Sequence, residues 1–481
     1  LAVVVDDGCA SPHVLDVAGV LSLLLLLLVW THPPTPHSGS PTKHNERQAN
    51  ILRSVRSVWL MGVRRAYDVA IVGAGIVGAT LARAIAMRSP STRVLLLDKE
   101  ERGGMHASGR NSGVLHAGFY YGASSLKAQF CKEGARFWRS YCKDRALSLR
   151  PCGKLVVTRT EEEVQVLQRL FSQGVQNGVE VHLVDELEAL KLDPCAKTMH
   201  QALWSPKTAS VDPRQVLRSV LQEVEEQSKV DVVWRREFLG VSGSTGSSLR
   251  LRVRDWDSRE ENLVEAAFLV NTAGLYADRV AREFGVGQRY RILPFKGLYL
   301  VLPAEQATQS LPLKRHIYPV PDLRNPFLGV HFTVTTSGGV KIGPTAIPCL
   351  WREQYHAWTN FSWTEFLDIA SSQLQLMAKA QFPFVSLALE EARKCSKEYS
   401  VRQASTMLSP PWREQVPALP WTWSSTPGIR AQLVDLEEGR LCMDFVVEQT
   451  PCSLHVLNAV SPAFTCAPPM AEYLADRIPG L

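Results

Sequence analysis

From Tyr67 onward the apolar residues fall into two patterns. Short β-branched or leucine-rich runs at 69–72, 94–97, 153–158, 230–234, 249–253 and 268–270 predict buried strands. Longer stretches with apolar residues every three or four positions predict helices at 79–86, 126–141, 161–177, 210–227, 363–380 and 470–478, with another from Ala277. The helix at 210–227 carries Asp212 as N-cap, Pro213 at the first helical position and Gln215 at the third, a capping-box pattern. Runs at 292–302, 317–320, 327–334 and 340–343 are broken by Pro and Gly, which predicts a mainly antiparallel sheet. Residues 409–427, rich in Pro and Trp, return the chain to its first domain, and 455–458 form a last strand.

The first unit has finer detail. The run at 69–72 leads into Gly73, Gly75 and Gly78 in G-x-G-x-x-G spacing, then a helix, a second strand and Asp98. Gly73 permits a tight turn, Gly75 lets a pyrophosphate approach the backbone, and Gly78 lets the helix pack closely on the strand. The helix N-terminus faces the phosphates, and Asp98 holds a ribose 2′-hydroxyl. A bare glycine motif is weak evidence, but the ordered βαβ unit makes it a dinucleotide site. Asp98 argues against a 2′-phosphate, because two anions would meet there. A second loop rich in small residues follows, with Ser108, Asn111, Ser112 and Gly113. Its backbone N–H groups suit a phosphate or a flavin edge. Two such loops in succession favour FAD over NAD. Thr272 and Gly274, closing the strand at 268–270, offer a further approach to the cofactor. The predicted class is α/β: a Rossmann-like FAD-binding domain with a parallel sheet, plus an α+β substrate domain with a mainly antiparallel sheet, their segments interleaved. Residues 67–125, 205–285 and 425–481 form the first, and 126–204 and 286–424 the second.

Residues 1–66 differ in character. The run at 17–30 includes six consecutive leucines, too short for a confident membrane span. A Pro/Ser/His-rich stretch follows, then Lys43, Arg47, Arg53, Arg56, Arg64 and Arg65 around an amphipathic helix, as in a mitochondrial transit peptide. The alternative is a solvated basic linker. No transmembrane helix is expected, and peripheral membrane association stays open. The net charge of +6 is modest, with no basic-aromatic interleaving for nucleic acid. Ten cysteines lie scattered without zinc-ligand spacing, so no metal and reduced thiols are expected.

Several separated segments carry a family resemblance. They include 111–116 with Tyr120-Tyr121, 152–155, 273–276 with Asp278-Arg279, 318–322, 326–333, 428–432, 444–446 and 455–459. On these the chain resembles the D-amino-acid-oxidase-like FAD-dependent oxidoreductases, and within them the mitochondrial L-2-hydroxyglutarate dehydrogenases. The resemblance implies oxidation of (S)-2-hydroxyglutarate to 2-oxoglutarate with hydride transfer to FAD. It implies a mitochondrial location and an electron acceptor that the sequence does not identify. Departures are Arg110 where the family has His, Lys296 and Leu298 in its Pro-Phe-Arg-Gly-acid stretch, and Pro468-Pro469 after Ser-Pro-Ala. Prolines remove backbone donors, which bears on cofactor affinity.

Such a reaction needs a cation for the carboxylate and a base for the hydroxyl proton. Arg430, in Gly-Ile-Arg, is the expected clamp, through a two-pronged hydrogen bond. His116 and His331 are the candidate bases. Tyr120, Tyr121 and Tyr318 are candidate hydrogen-bonding partners of the small dicarboxylate substrate, and Lys296 or Lys341 of its distal carboxylate. Three other readings stay open: an amino-acid oxidase of the same superfamily, a flavin-binding protein without turnover, and an NAD-dependent enzyme.

Overall fold

The β-branched run before the glycine loop sits at the centre of a parallel sheet. A computed structural model of the chain describes residues 66–245, 248–322, 327–379 and 384–481. The expected leader lies outside these residues, apart from Ala66. Strand Ala66–Val72 is flanked in parallel by Val94–Leu97 on one side and Glu261–Asn271 on the other. Val230–Val233 extends one edge and Ser453–Val456 the other, both parallel. An antiparallel hairpin, Arg236–Thr245 with Ser248–Asp255, pairs with the early half of Glu261–Asn271. Helices Ile76–Arg88, Pro213–Glu225 and Ala463–Ala475 cover one face, where their apolar stripes meet the sheet in a single core. Helix Leu126–Asp144, which the expected division gives to the substrate domain, sends Phe130, Trp138 and Tyr141 into this same core.

A second eight-stranded sheet runs in the order Thr422–Trp423, Leu300–Leu302, Val340–Gly343, His331–Val334, His316–Pro319, Lys154–Val157, Gln201–Ser205 and His182–Asp185. It is antiparallel except where His316–Pro319 lies parallel to Lys154–Val157. A four-stranded antiparallel sheet pairs Tyr290–Gly297 with Gly428–Asp435. The mixed α/β architecture is the one expected from the sequence.

Several local expectations change. The strand at 292–302 is two strands, Tyr290–Gly297 and Leu300–Leu302, in different sheets. Helix Pro213–Glu225 begins after Ser210, which belongs to strand Ala209–Val211. Asp212 caps it through the N–H groups of Arg214 and Gln215, but Gln215 Oε1 accepts from Ser148 N–H at 2.8 Å, so the reciprocal half of the box is not made there. The last helix starts at Ala463, seven residues before the expected Met470, and runs through Pro468 and Pro469. Pro468 leaves the carbonyl of Phe464 without its helical donor, and the Trp138 indole N–H takes that place at 2.9 Å. Next to it, the Thr465 carbonyl lies so close to Gly134 that a Cβ there would come within 1.9 Å. The neighbouring helix therefore accommodates both prolines.

Candidate active site

The glycine loop opens into a cavity of about 1080 Å³ that runs from Gly73–Val77 and Asp98 to His116, Tyr318, His331 and Arg430. Its three glycines do different work. Gly73 has φ +102°, and a Cβ there would meet the Thr272 carbonyl oxygen at 2.6 Å. Gly78 packs against the turn, where a Cβ would lie 2.0 Å from the Gly73 oxygen. Gly75 has ordinary extended geometry and faces the cavity, with only the Ser108 hydroxyl near its missing Cβ. Thr272 ties the turn down by donating to the carbonyls of Val72 (3.0 Å) and Gly73 (2.9 Å). Ser108 accepts the first helical N–H, that of Ile76, at 2.9 Å. Asp98 is fixed by accepting from Ala74 N–H at 2.8 Å and Glu100 N–H at 2.9 Å; burial raises its pKa and these two donors oppose the rise. Asn111 folds the second loop by donating to Ala107 and Ser108 and accepting from Gly113 N–H at 2.9 Å. Ser112 and Gly274 line the cavity, whereas Gly78 and Gly113 do not. Gly78 acts through close packing of the helix on the turn, as its place in the motif predicts, and Gly113 acts through its positive φ of +80° behind the cavity wall.

At the other end, Arg430 stands opposite Phe295 in the four-stranded sheet, its guanidinium 4.8 Å from the Phe327 ring. Its buried NH1 has no hydrogen-bond acceptor among the described residues. His331 donates from Nδ1 to the Gly329 carbonyl at 2.7 Å, which leaves the lone pair on Nε2. The ring stacks on Tyr318 with centroids 3.7 Å apart. Burial drives His331 down to about 3. His116 is likewise held well below its usual value by burial, and its Nδ1 has no hydrogen-bond partner among the described residues. Tyr120 lines the cavity with its hydroxyl unpartnered among the described residues, and Tyr121 lines it too. Lys296 and Lys341 do not line it. Phe295 and Gly297 face the cavity, so Lys296 between them projects from the other face of its strand. Lys341 lies over the Tyr299 ring at 5.6 Å.

Lys127 and Tyr299, which are not among the candidates expected from the sequence, also line the cavity. Lys127 had a signal: a lysine in a first helical turn opposes the helix dipole. Asp444 offsets it by accepting the N–H groups of Leu126 and Lys127, and the ammonium donates to the Met443 carbonyl. Beside Asp98, Lys99 bridges Glu100 and Glu353, and His106 binds Glu100 at 2.8 Å. The Lys99 ammonium offsets one of the two carboxylate charges of this group, which is the only set of metal-ligating type among the described residues.

A model of the family described as FAD dependent oxidoreductase matches residues 68–477. The chain belongs to that family. This oxidoreductase is 34% identical over 427 residues to the mitochondrial L-2-hydroxyglutarate dehydrogenase of Homo sapiens, covering 86% of this chain and 88% of that protein. It is 30% identical over 420 residues to the L-2-hydroxyglutarate dehydrogenase of an Escherichia coli strain, covering 86% and 93%. Among solved structures it resembles the FAD-bound L-α-glycerophosphate oxidase of Mycoplasma pneumoniae, with TM-score 0.63, 19% identity and coverage of 86% and 94%. The glycine oxidase of Geobacillus kaustophilus gives TM-score 0.61, 18% identity and coverage of 86% and 95%.

The cofactor of this oxidoreductase is FAD, and the residues present fit it. The cavity is at the upper end of small-molecule sites, roughly 300–1,000 Å³, as an extended dinucleotide requires. The open face of Gly75 and the start of helix Ile76–Arg88 suit the pyrophosphate, and Asp98 suits the ribose. The stretch from Ala459 to Thr465 lines the cavity at the start of the last helix. Pro468 and Pro469 fall beyond that helix's first turn, so they take no N–H donor from its exposed end. The sequence-based concern for cofactor affinity therefore has no basis in this helix.

Proposed function

We propose that this chain oxidises (S)-2-hydroxyglutarate to 2-oxoglutarate. The observation that carries the reading is a buried guanidinium, Arg430, whose NH1 has no hydrogen-bond partner among the described residues, facing the same cavity as an imidazole whose Nε2 can accept a proton, His331. The two curated relatives named above are dehydrogenases of this hydroxy acid. Arg430 binds the carboxylate beside the carbinol and fixes which face of the substrate is presented. His331 accepts the hydroxyl proton at Nε2, while Gly329 holds its other nitrogen in the donor role. Tyr120 and Tyr318 close the site against water, and the unpartnered Tyr120 hydroxyl is available to the substrate. Bound FAD supplies the hydride acceptor. A second substrate, as yet unidentified, takes the electrons onward. We place the reaction in mitochondria, a reading supported by the basic leader and by the naming of the animal relatives. No helix among the described residues is long and apolar enough to cross a membrane.

The purified holoprotein tests this directly. Under anaerobic conditions L-2-hydroxyglutarate should bleach the flavin absorbance and the D-enantiomer should not. A yellow protein bleached by neither form, but bleached by an amino acid, would replace this reading with an amine oxidation.

The buried state of His331 also fixes a pH dependence. An ordinary histidine titrates near pH 6.5, so a base of that kind loses activity as pH falls through that value. His331 is held at about 3 and stays neutral across this window. The profile of kcat/KM should therefore be flat from about pH 5 to about pH 6.5, and His331→Ala should lower it by less than the ~10²–10⁴-fold of a base matched to the operating pH, because a group held at about 3 is a weak proton acceptor. An acid limb centred near pH 6.5 would assign the base elsewhere.

A further inference from the structure

Lys154 sits in mid-sheet on strand Lys154–Val157 with no exposed surface, and its Nζ has no hydrogen-bond partner among the described residues. Its Nζ lies 4.0 Å from the centroid of the Tyr318 ring, 5.2 Å from Tyr120 and 5.7 Å from Phe119. Tyr318 and Tyr120 form part of the cavity wall, and Tyr318 stacks on His331. The lysine therefore stands one aromatic layer behind the substrate end. The titratable groups around it are His116, His316, His331, Tyr120 and Tyr318, with Cys131 and Cys152 acting from the adjoining helix and loop. No carboxylate acts on it among the described residues. Aromatic faces attract a cation, but less strongly than an anion does. The burial of an amine without a counter-ion is thus left open-ended in the protein alone.

A dicarboxylate in the cavity would supply the missing negative charge. Resting on the reading given above, we propose that Lys154 is the specificity-determining charge for a dianionic ligand. It takes up a proton from solvent as the dianion binds, passing from amine to ammonium, and acts through the Tyr318 and Tyr120 rings without touching the ligand. Burial holds Lys154 at about 7 in the free protein, so above that pH it is largely neutral. His331 and His116 stay neutral throughout that range. Charge from the bound dianion favours the ammonium, so affinity falls as pH rises above about 7, by up to about tenfold per unit. Lys127, held at about 8, also faces the cavity and is the competing source of such a proton.

The test is calorimetric binding of 2-oxoglutarate to the oxidised holoenzyme at about pH 7.5 in two buffers of different ionisation enthalpy. Wild type should take up most of a proton per ligand. Lys154→Met should lose the larger part of that uptake and bind 2-oxoglutarate about tenfold more weakly, with flavin loading unchanged and the singly charged 2-oxobutyrate weakened less. Lys127→Met should keep the uptake. If Lys154→Met does not hold flavin, Lys154→Arg, permanently charged, should bind without uptake and without the pH dependence. Uptake that survives in Lys154→Met or Lys154→Arg, or equal weakening toward the mono- and dicarboxylate, would overturn the proposal. Binding to wild type without proton uptake would overturn it alone. Failure of wild type to bind any dicarboxylate would overturn the functional reading beneath it.

Discussion

Arg430→Ala should lower kcat/KM for L-2-hydroxyglutarate by about a thousandfold while leaving the flavin bound. Charge-assisted hydrogen bonds contribute about 1.5–3 kcal/mol each, and truncating one partner of a buried charged pair costs about 2–5 kcal/mol. A loss near 4 kcal/mol corresponds to about three decades, since each decade is about 1.4 kcal/mol. Nothing among the described residues competes for the buried NH1, so the whole of that interaction belongs to the ligand. The clamp holds the carboxylate in the ground state and the transition state alike, so most of the loss should enter KM. A share falls on kcat to the degree that the fork also aligns the C–H bond. Arg430→Lys keeps the charge but not the two-pronged geometry, and should recover only part of the loss. The guanidinium also packs on Phe327, so the flavin-to-protein absorbance ratio must be measured beside the kinetics. Unchanged kinetics with full flavin would remove Arg430 from the site.

How much of this was legible before the structure depended on the range of the interaction. The glycine loop, Asp98 and the strand-helix-strand unit are local, and spacing alone carries their chemistry. The helix at 161–177 and the strand at 94–97 also follow from local period. By contrast, Leu298 lies between two strands in different sheets, which no run of apolar residues marks. Pro468 and Pro469 suggested a late helix start because the donor that serves Phe464 comes from Trp138, 326 positions away. His116 and His331 both reach the cavity, yet choosing between them needs the Gly329 carbonyl, which fixes one tautomer and not the other. Lys154 lies in one of the segments that carry the family resemblance, but its chemistry was not legible there, since a lysine in an apolar strand acquires meaning only from the rings around it. Lys296 was attractive as a charge beside a family motif, but strand alternation turns it away from the cavity.

Gly75→Val should produce a folded protein that purifies without flavin, carrying less than about a tenth of the wild-type cofactor by absorbance ratio. The three glycines of the loop make this variant informative. At Gly73 a side chain would meet the Thr272 backbone at 2.6 Å on a residue with φ +102°, and at Gly78 it would lie 2.0 Å from the Gly73 carbonyl. Substitution at either position disturbs the turn itself, and lost flavin there would say nothing about contact. Gly75 differs, because its φ of −71° and ψ of −177° suit any residue. A Cβ there meets only the Ser108 hydroxyl, at 3.0 Å, a short side chain able to move by the few tenths of an ångström required. The valine methyls then occupy cavity space where a pyrophosphate must approach the backbone. Thermal melting separates the two causes of flavin loss. Bound cofactor stabilises the native state by mass action, so the variant should melt below the wild-type holoprotein but with the wild-type apoprotein. A melt well below the apoprotein would indicate damage to the turn. A yellow, fully loaded Gly75→Val protein would show that the cofactor does not lie against this residue, and the functional reading built on that placement would fall with it.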